Sequence, residues 1–148
     1  MMKTTHFVNR WVVCLLTAAA LLTSGCASST PVTDAPLEAS EQQELRDTVI
    51  GTWKHTHTED ADGEREKMDA AQITWTFNKD GTGVYHQVVP TIGMDAKNPF
   101  RWQLEGRNIR LGMEKGDNTT FYRADDWSAD QMKWFNYTLS DYYIVQKQ

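Results

Sequence analysis

The chain has 148 residues, of which 24% are charged, and it carries a net charge of −5 at neutral pH. That balance lacks the clustered positive charge that nucleic-acid binding requires, and it speaks against electrostatic docking on anionic lipid. Both cysteines, Cys14 and Cys26, lie near the N-terminus.

The first segment has the layout of an export signal. Lys3 and Arg10 supply positive charge, and Trp11 to Leu22 is an almost wholly apolar run of 12 residues. Such a run is too short to cross a hydrocarbon core of ~30 Å as a helix. Small residues Thr23, Ser24 and Gly25 follow, immediately before Cys26. A charged start, a short apolar stretch and a small-residue cleavage site mark a secretory signal. The boundary resembles the lipobox of bacterial lipoproteins, although Thr23 stands where that motif usually has Leu. The resemblance implies cleavage after Gly25, acylation of the Cys26 thiol and a membrane contact made through the acyl chains. In a Gram-negative host, Ala27 after the lipidated cysteine implies the outer membrane, facing the periplasm. The plain alternative is a signal peptide with an incidental cysteine.

Cleavage there removes Lys3, Arg10 and Cys14 and takes the net charge to −7. With Cys26 consumed by lipid, no thiol remains for a disulfide, redox centre or thiolate metal site. Residues 27–40 are rich in Ala, Ser, Thr and Pro and read as a tether. Ser40 and Gln43 have capping-box spacing and predict a short helix to about Asp47. The expected organisation is therefore a signal over 1–25, a lipidated tether with a short helix over 26–47, and a folded domain over 48–148.

From Val49 onward the pattern predicts eight strands, near 49–57, 72–77, 83–89, 99–104, 107–113, 119–124, 131–137 and 142–147. Asn78 to Gly81 and Glu105 to Asn108 are tight hairpin signals, Glu114 to Asn118 is a longer one, and Ser128 to Gln131 suits one helical turn. Ile73, Trp75 and Phe77 share a face, as do Phe100, Trp102 and Leu104, and Ile109, Leu111 and Met113. One apolar and one polar face per strand, with no helix long enough to cover a sheet, predicts an all-β fold: a small antiparallel up-and-down barrel. The connections near Thr58 to Ala71 and Pro90 to Asn98 are expected to be long loops on one rim, which would be the open mouth.

Gly51-Thr52-Trp53 resembles the Gly-x-Trp of the first lipocalin strand. The hairpins ITWTFNKDGTGVY (73–85) and FRWQLEGRNIRL (100–111) and the closing YYIV (142–145) are also similar to small lipocalin-like domains. The resemblance covers residues 48–148 in outline and implies that Trp53 packs inward at the closed end of the barrel.

If Trp53 points inward, the period of two brings His55, His57 and Glu59 inward as well. Two imidazoles and a carboxylate on one strand face would suit zinc, copper or nickel, against the plainer reading of polar wall residues. His86 joins them only if its strand turns it inward; otherwise Tyr85 and Gln87 take that face. Trp53, His55, His57, Trp75, Trp102 and Trp134 are the residues expected to meet a ligand in the barrel, unless the tryptophans simply fill it. Asp125 and Asp126 are adjacent, so on a strand they would face opposite ways; a loop or capping role suits them better than catalysis. The acidic run Glu59 to Glu66 lacks the spacing of a calcium loop. No nucleophile–base pair, phosphate loop or cofactor motif is present, so no enzyme, catalytic residue or cofactor is expected. Two functions compete: a carrier of a small apolar or amphipathic ligand, and an envelope protein-interaction module that uses the rim loops of a solid barrel.

Overall fold

The computed structural model describes residues 36–114 and 118–148. The expected signal, Cys26 and most of the tether lie outside the described residues. An eleven-residue helix, α1 (Ala39–Val49), leads into nine strands. The helix starts earlier and ends later than the sequence predicts. Its N-cap is Glu38, whose N–H donates to the Glu41 carboxylate at 3.0 Å, so the capping pair is Glu38/Glu41 rather than Ser40/Gln43. The apolar side chains Leu45 and Val49 keep the helix going past Asp47, because both are wholly buried. No helix among the described residues is long and apolar enough to cross a membrane.

The strands are β1 (Gly51–Glu59), β2 (Arg65–Lys67), β3 (Gln72–Phe77), β4 (Thr82–Val89), β5 (Met94–Glu105), β6 (Asn108–Met113), β7 (Thr119–Trp127), β8 (Gln131–Asn136) and β9 (Asp141–Lys147). All neighbouring pairs are antiparallel, and β1 pairs with β9 to close the sheet. β2 and β3 lie along the same side of β1, opposite His57–Glu59 and Gly51–Lys54 respectively, and together make one broken stave. The result is the eight-stave antiparallel barrel that the sequence predicts. Closure leaves few free edges to recruit another chain.

α1 sits under one end. Trp53 Nε1 donates to Val49 O at 2.9 Å, and Lys147 Nζ donates to Thr48 O at 3.1 Å. Gly51, between helix and strand, has φ +129, which L side chains rarely adopt. This end is the base, with tight turns between β3 and β4, β5 and β6, and β7 and β8. Ser128 to Gln131 forms one of these, with Ser128 N donating to Gln131 O at 2.8 Å, and not a helical turn.

The interior is filled by side chains. Trp53 and Trp134 rings lie 6.3 Å apart, Trp134 and Trp75 lie 5.3 Å apart, and Phe77 meets Phe100, Trp102 and Trp134 within 6.0 Å. Gly83 is required by this packing: a Cβ there would stand 2.2 Å from the Phe100 ring. Leu104, Ile109, Leu111, Ala124, Met132 and Val145 complete the core.

Candidate functional site at the barrel mouth

Three features shape the end opposite α1. The first is a hairpin that overhangs the barrel. The expected long loop from Pro90 to Asn98 is instead a 3-10 turn (Pro90–Ile92) followed directly by strand, with β4 and β5 paired out to Val89 and Met94. Gly93 makes this possible: at φ +64 its N–H donates back to Pro90 O at 3.2 Å. The alternation of Met94, Ala96 and Asn98 with Asp95 and Lys97 was the signal for this strand, obscured by its polar composition. β5 meets β6 only from Phe100 and Met113 onward. Pro99, which has no N–H to donate, stands where the edge becomes an interior strand.

Between this overhang and the ends of β6 and β7 lies a cavity of about 230 Å³, lined by Tyr85, Asn98, Pro99, Met113 and Asn118. Among the described residues no charged side chain lines it. Beneath is a ring of aromatic hydroxyls and imidazole around Trp75: Tyr85, Tyr122, Tyr143 and His55 all lie within 6.2 Å of its ring. Burial raises the phenol pKa values of Tyr85, Tyr122 and Tyr143 above their usual range, so these groups stay neutral.

The second feature is a bulge in β1. Its register against β9 shifts between His55, opposite Val145, and His57, opposite Ile144. Thr56 is the extra residue; its hydroxyl donates to Ile144 O at 3.0 Å. A bulge of one residue exchanges the faces of everything beyond it. His55 therefore points inward, whereas His57 and Glu59 stand on the outer wall beside Lys133 and Tyr142. The expected His55, His57, Glu59 metal set is thus divided between the two faces. Among the described residues no group of three or more His, Cys, Asp or Glu is gathered for a metal.

His55 is 1% exposed, stacks on Tyr143 at 4.1 Å, and its Nε2 donates to the His57 carbonyl at 3.0 Å. Its Nδ1 has no hydrogen-bond partner among the described residues. Burial pulls its pKa down to about 4, so the ring is neutral at pH 7. Glu59 is held on the outer wall by Arg65 at 2.7 Å and by Lys133. Burial alone would raise its carboxyl pKa, but the hydrogen bonds from Lys133 and Arg65 outweigh that and keep it below the ordinary range.

The third feature is the placement of the remaining sequence candidates. Trp53, Trp75, Trp102 and Trp134 are buried and fill the barrel; none lines the cavity. Trp102 reaches the base instead, with Nε1 donating to Asn78 O at 3.0 Å. His86 faces outward and pairs with Asp95 at 2.7 Å, which leaves Tyr85 and Gln87 inward. Asp125 lies in neither loop nor cap. It is a second bulge, within β7, and its carboxylate takes two hydrogen bonds from Arg123, at 2.6 and 2.9 Å. The acidic stretch after Glu59 is partly strand β2, and Asp60 Oδ1 caps its turn by accepting from the backbone N–H groups of Asp62 and Glu64.

Comparison with known proteins matches this architecture. A lipocalin-like protein from Bacteroides uniformis ATCC 8492 superposes with a TM-score of 0.57 at 16% identity, over 68% of this chain and 99% of that one. An uncharacterized protein from Bacteroides eggerthii DSM 20697 gives 0.54 at 14% identity, over 67% and 98%. At these identities the likeness is one of fold. No curated protein matches the chain. The family model for the lipocalin-like domain matches residues 49–141, the whole barrel up to the start of β9, and the chain belongs to that family.

Proposed function

We propose that this protein is a lipid-anchored envelope carrier that holds a small, uncharged, amphipathic group at the barrel mouth without transforming it. The observation that carries the reading is the cavity beneath the β4–β5 overhang. At about 230 Å³ it exceeds a few waters, each ~30 Å³, and falls short of the ~300–1,000 Å³ of drug-sized pockets. Such a space suits a single ring or the end of a chain rather than a whole lipid. Its lining supplies an apolar surface from Met113, Pro99 and the Tyr85 ring, and hydrogen-bonding amides from Asn98 and Asn118. With no charge among them, these residues favour an uncharged group.

The anchor rests on the small-small-Cys boundary at Cys26. Cys26→Ala should abolish incorporation of radiolabelled palmitate; equal labelling of the variant would refute lipidation there. For the ligand, solvent extraction of the purified protein followed by mass spectrometry should release a small neutral compound in near-stoichiometric yield. Met113→Trp, which fills the cavity, should lower that yield sharply. No compound above the level of the filled variant would overturn the carrier reading. The filled interior below Trp75 supports the second reading, an interaction module that works through its rim.

A further inference from the structure

We propose that the outer wall of the barrel carries a second site, an exposed groove over Gly112 that binds a phosphate group between Arg101 and Arg110. The register builds it. Arg101 stands opposite Gly112, Gln103 opposite Arg110, and Arg110 opposite Phe121 on the next strand. The two guanidiniums are thus diagonal neighbours across β5 and β6, on the face away from the core. Together with Gln103 and Gly112 they line a depression of about 140 Å³. Phe121, 39% exposed, adds an apolar shoulder beside Arg110.

Two independent observations point to a ligand. The first is charge. Of the other described arginines, Arg65 is engaged with Glu59, Arg123 with Asp125 and Arg107 over the Trp127 ring, and Arg46 stands alone and exposed on α1, whereas Arg101 and Arg110 lie side by side. Among the described residues neither Arg101 nor Arg110 has a carboxylate within 4.0 Å. Asp80, whose field reaches Arg101, has its Oδ1 taken by the N–H and hydroxyl of Thr82. Two like charges on one wall repel each other, and a dianionic phosphate relieves that repulsion where a single carboxylate would do so by half. Guanidinium forks match phosphate oxygens in geometry.

The second observation is Gly112 itself. It lies within β6 without a positive φ, and a Cβ there would meet only Arg101 O, at 4.0 Å. Neither the backbone nor the packing requires glycine, which weakens a strand interior. Its effect is to leave the floor of the groove bare, so that a ligand can approach the backbone.

Phosphate can come from a soluble ester or from a lipid headgroup, and one experiment separates them. The full chain in non-ionic detergent is followed by NMR of the arginine Nε–H groups. Inorganic phosphate and short-chain phosphatidylglycerol are titrated separately, with chloride at matched ionic strength as the control. Saturable shifts are expected at Arg101 and Arg110 but not at exposed Arg46. Saturation with phosphate alone assigns a soluble phosphate, with the lipid alone a headgroup, and with both a general phosphate site. Gly112→Leu should weaken binding about tenfold or more by filling the groove, with unchanged melting. Arg101→Gln/Arg110→Gln should lose about tenfold per charge-assisted bond, and this variant stands as the test should Gly112→Leu not fold. Shifts that never saturate or that appear equally with chloride, or phosphate binding followed by calorimetry that is unchanged in the arginine variant, would overturn the site.

Discussion

The two ends of the barrel are built on opposite principles. At the base, α1 buries Leu45 and Val49 against Trp53, whose N–H has its partner in Val49 O, and the turns are tight. At the mouth one stave is broken, a hairpin overhangs, and buried polar rings accumulate around Trp75. His55 Nδ1 has no partner there among the described residues. The contrast teaches that one well-packed end stabilises the fold sufficiently for the other end to hold groups that work against it.

The largest expected effect is at the base. Trp53→Ala should destabilise the domain by about 3–5 kcal/mol, through lost burial and the cavity left behind. Of a total stability of ~5–15 kcal/mol that is a large share. Lys54→Ala, one residue on and facing outward, should change it by no more than about 0.5 kcal/mol. Denaturant melts that show the two variants equally stable would remove the base from its position as the stabilising end.

His55 comes next, at the mouth. Its folded pKa of about 4 lies below its ordinary 6.5, so the folded state favours the neutral ring. Stability from this group is full above pH 6.5 and declines as pH falls to about 4, by up to about 3 kcal/mol. His55→Gln keeps a donor for the His57 carbonyl without a titrating ring, and should flatten the stability–pH curve in that window. A slope identical to that of the unsubstituted protein would show that the acid sensitivity lies elsewhere.

Glu59→Gln on the outer wall is expected to cost on the order of 1–2 kcal/mol at neutral pH, because it discharges a carboxylate bonded to both Lys133 and Arg65. Its depressed pKa means that this contribution is present above the ordinary carboxylate range and is lost as pH falls through and below that range. A variant as stable as the parent at pH 7 would class the pair with exposed, ineffective ion pairs. The smallest effect on stability is expected from Met113→Trp at the cavity, whose change should appear in ligand yield and hardly in melting.

The strands were legible because each has one buried face, and alternation records burial directly. The turns were legible through Asn78-Lys79-Asp80-Gly81 and Glu105-Gly106-Arg107-Asn108, where glycine takes positive φ. The bulge at Thr56 was not. Nothing in the local residues marks it, because it is set by pairing with Ile144, 88 residues away. That one residue separated His57 and Glu59 from His55, so the metal set written on one strand face does not exist in space. The cavity residues were missed for a related reason: Asn98 and Asn118 read as loop and Pro99 as the start of a strand, and only the unequal reach of β5 along β4 and β6 brings them together. Trp102 and Trp134 were legible as interior residues, but periodicity gives a side and not a height along the barrel.

The clasp at the base also determines how the domain bears load. The chain ahead of α1 is the part a membrane anchor would pull, and α1 is fastened to both partners of the closing seam, through Trp53 on β1 and Lys147 on β9. Tension entering through α1 is therefore shared between the first and last strands from the start. Those strands are paired from Trp53 with Lys147 to Glu59 with Tyr142, so separating them by sliding means breaking many hydrogen bonds at once rather than one after another. The same two contacts that seal the bottom of the barrel make the place where the sheet closes on itself resistant to being drawn open from the N-terminal side.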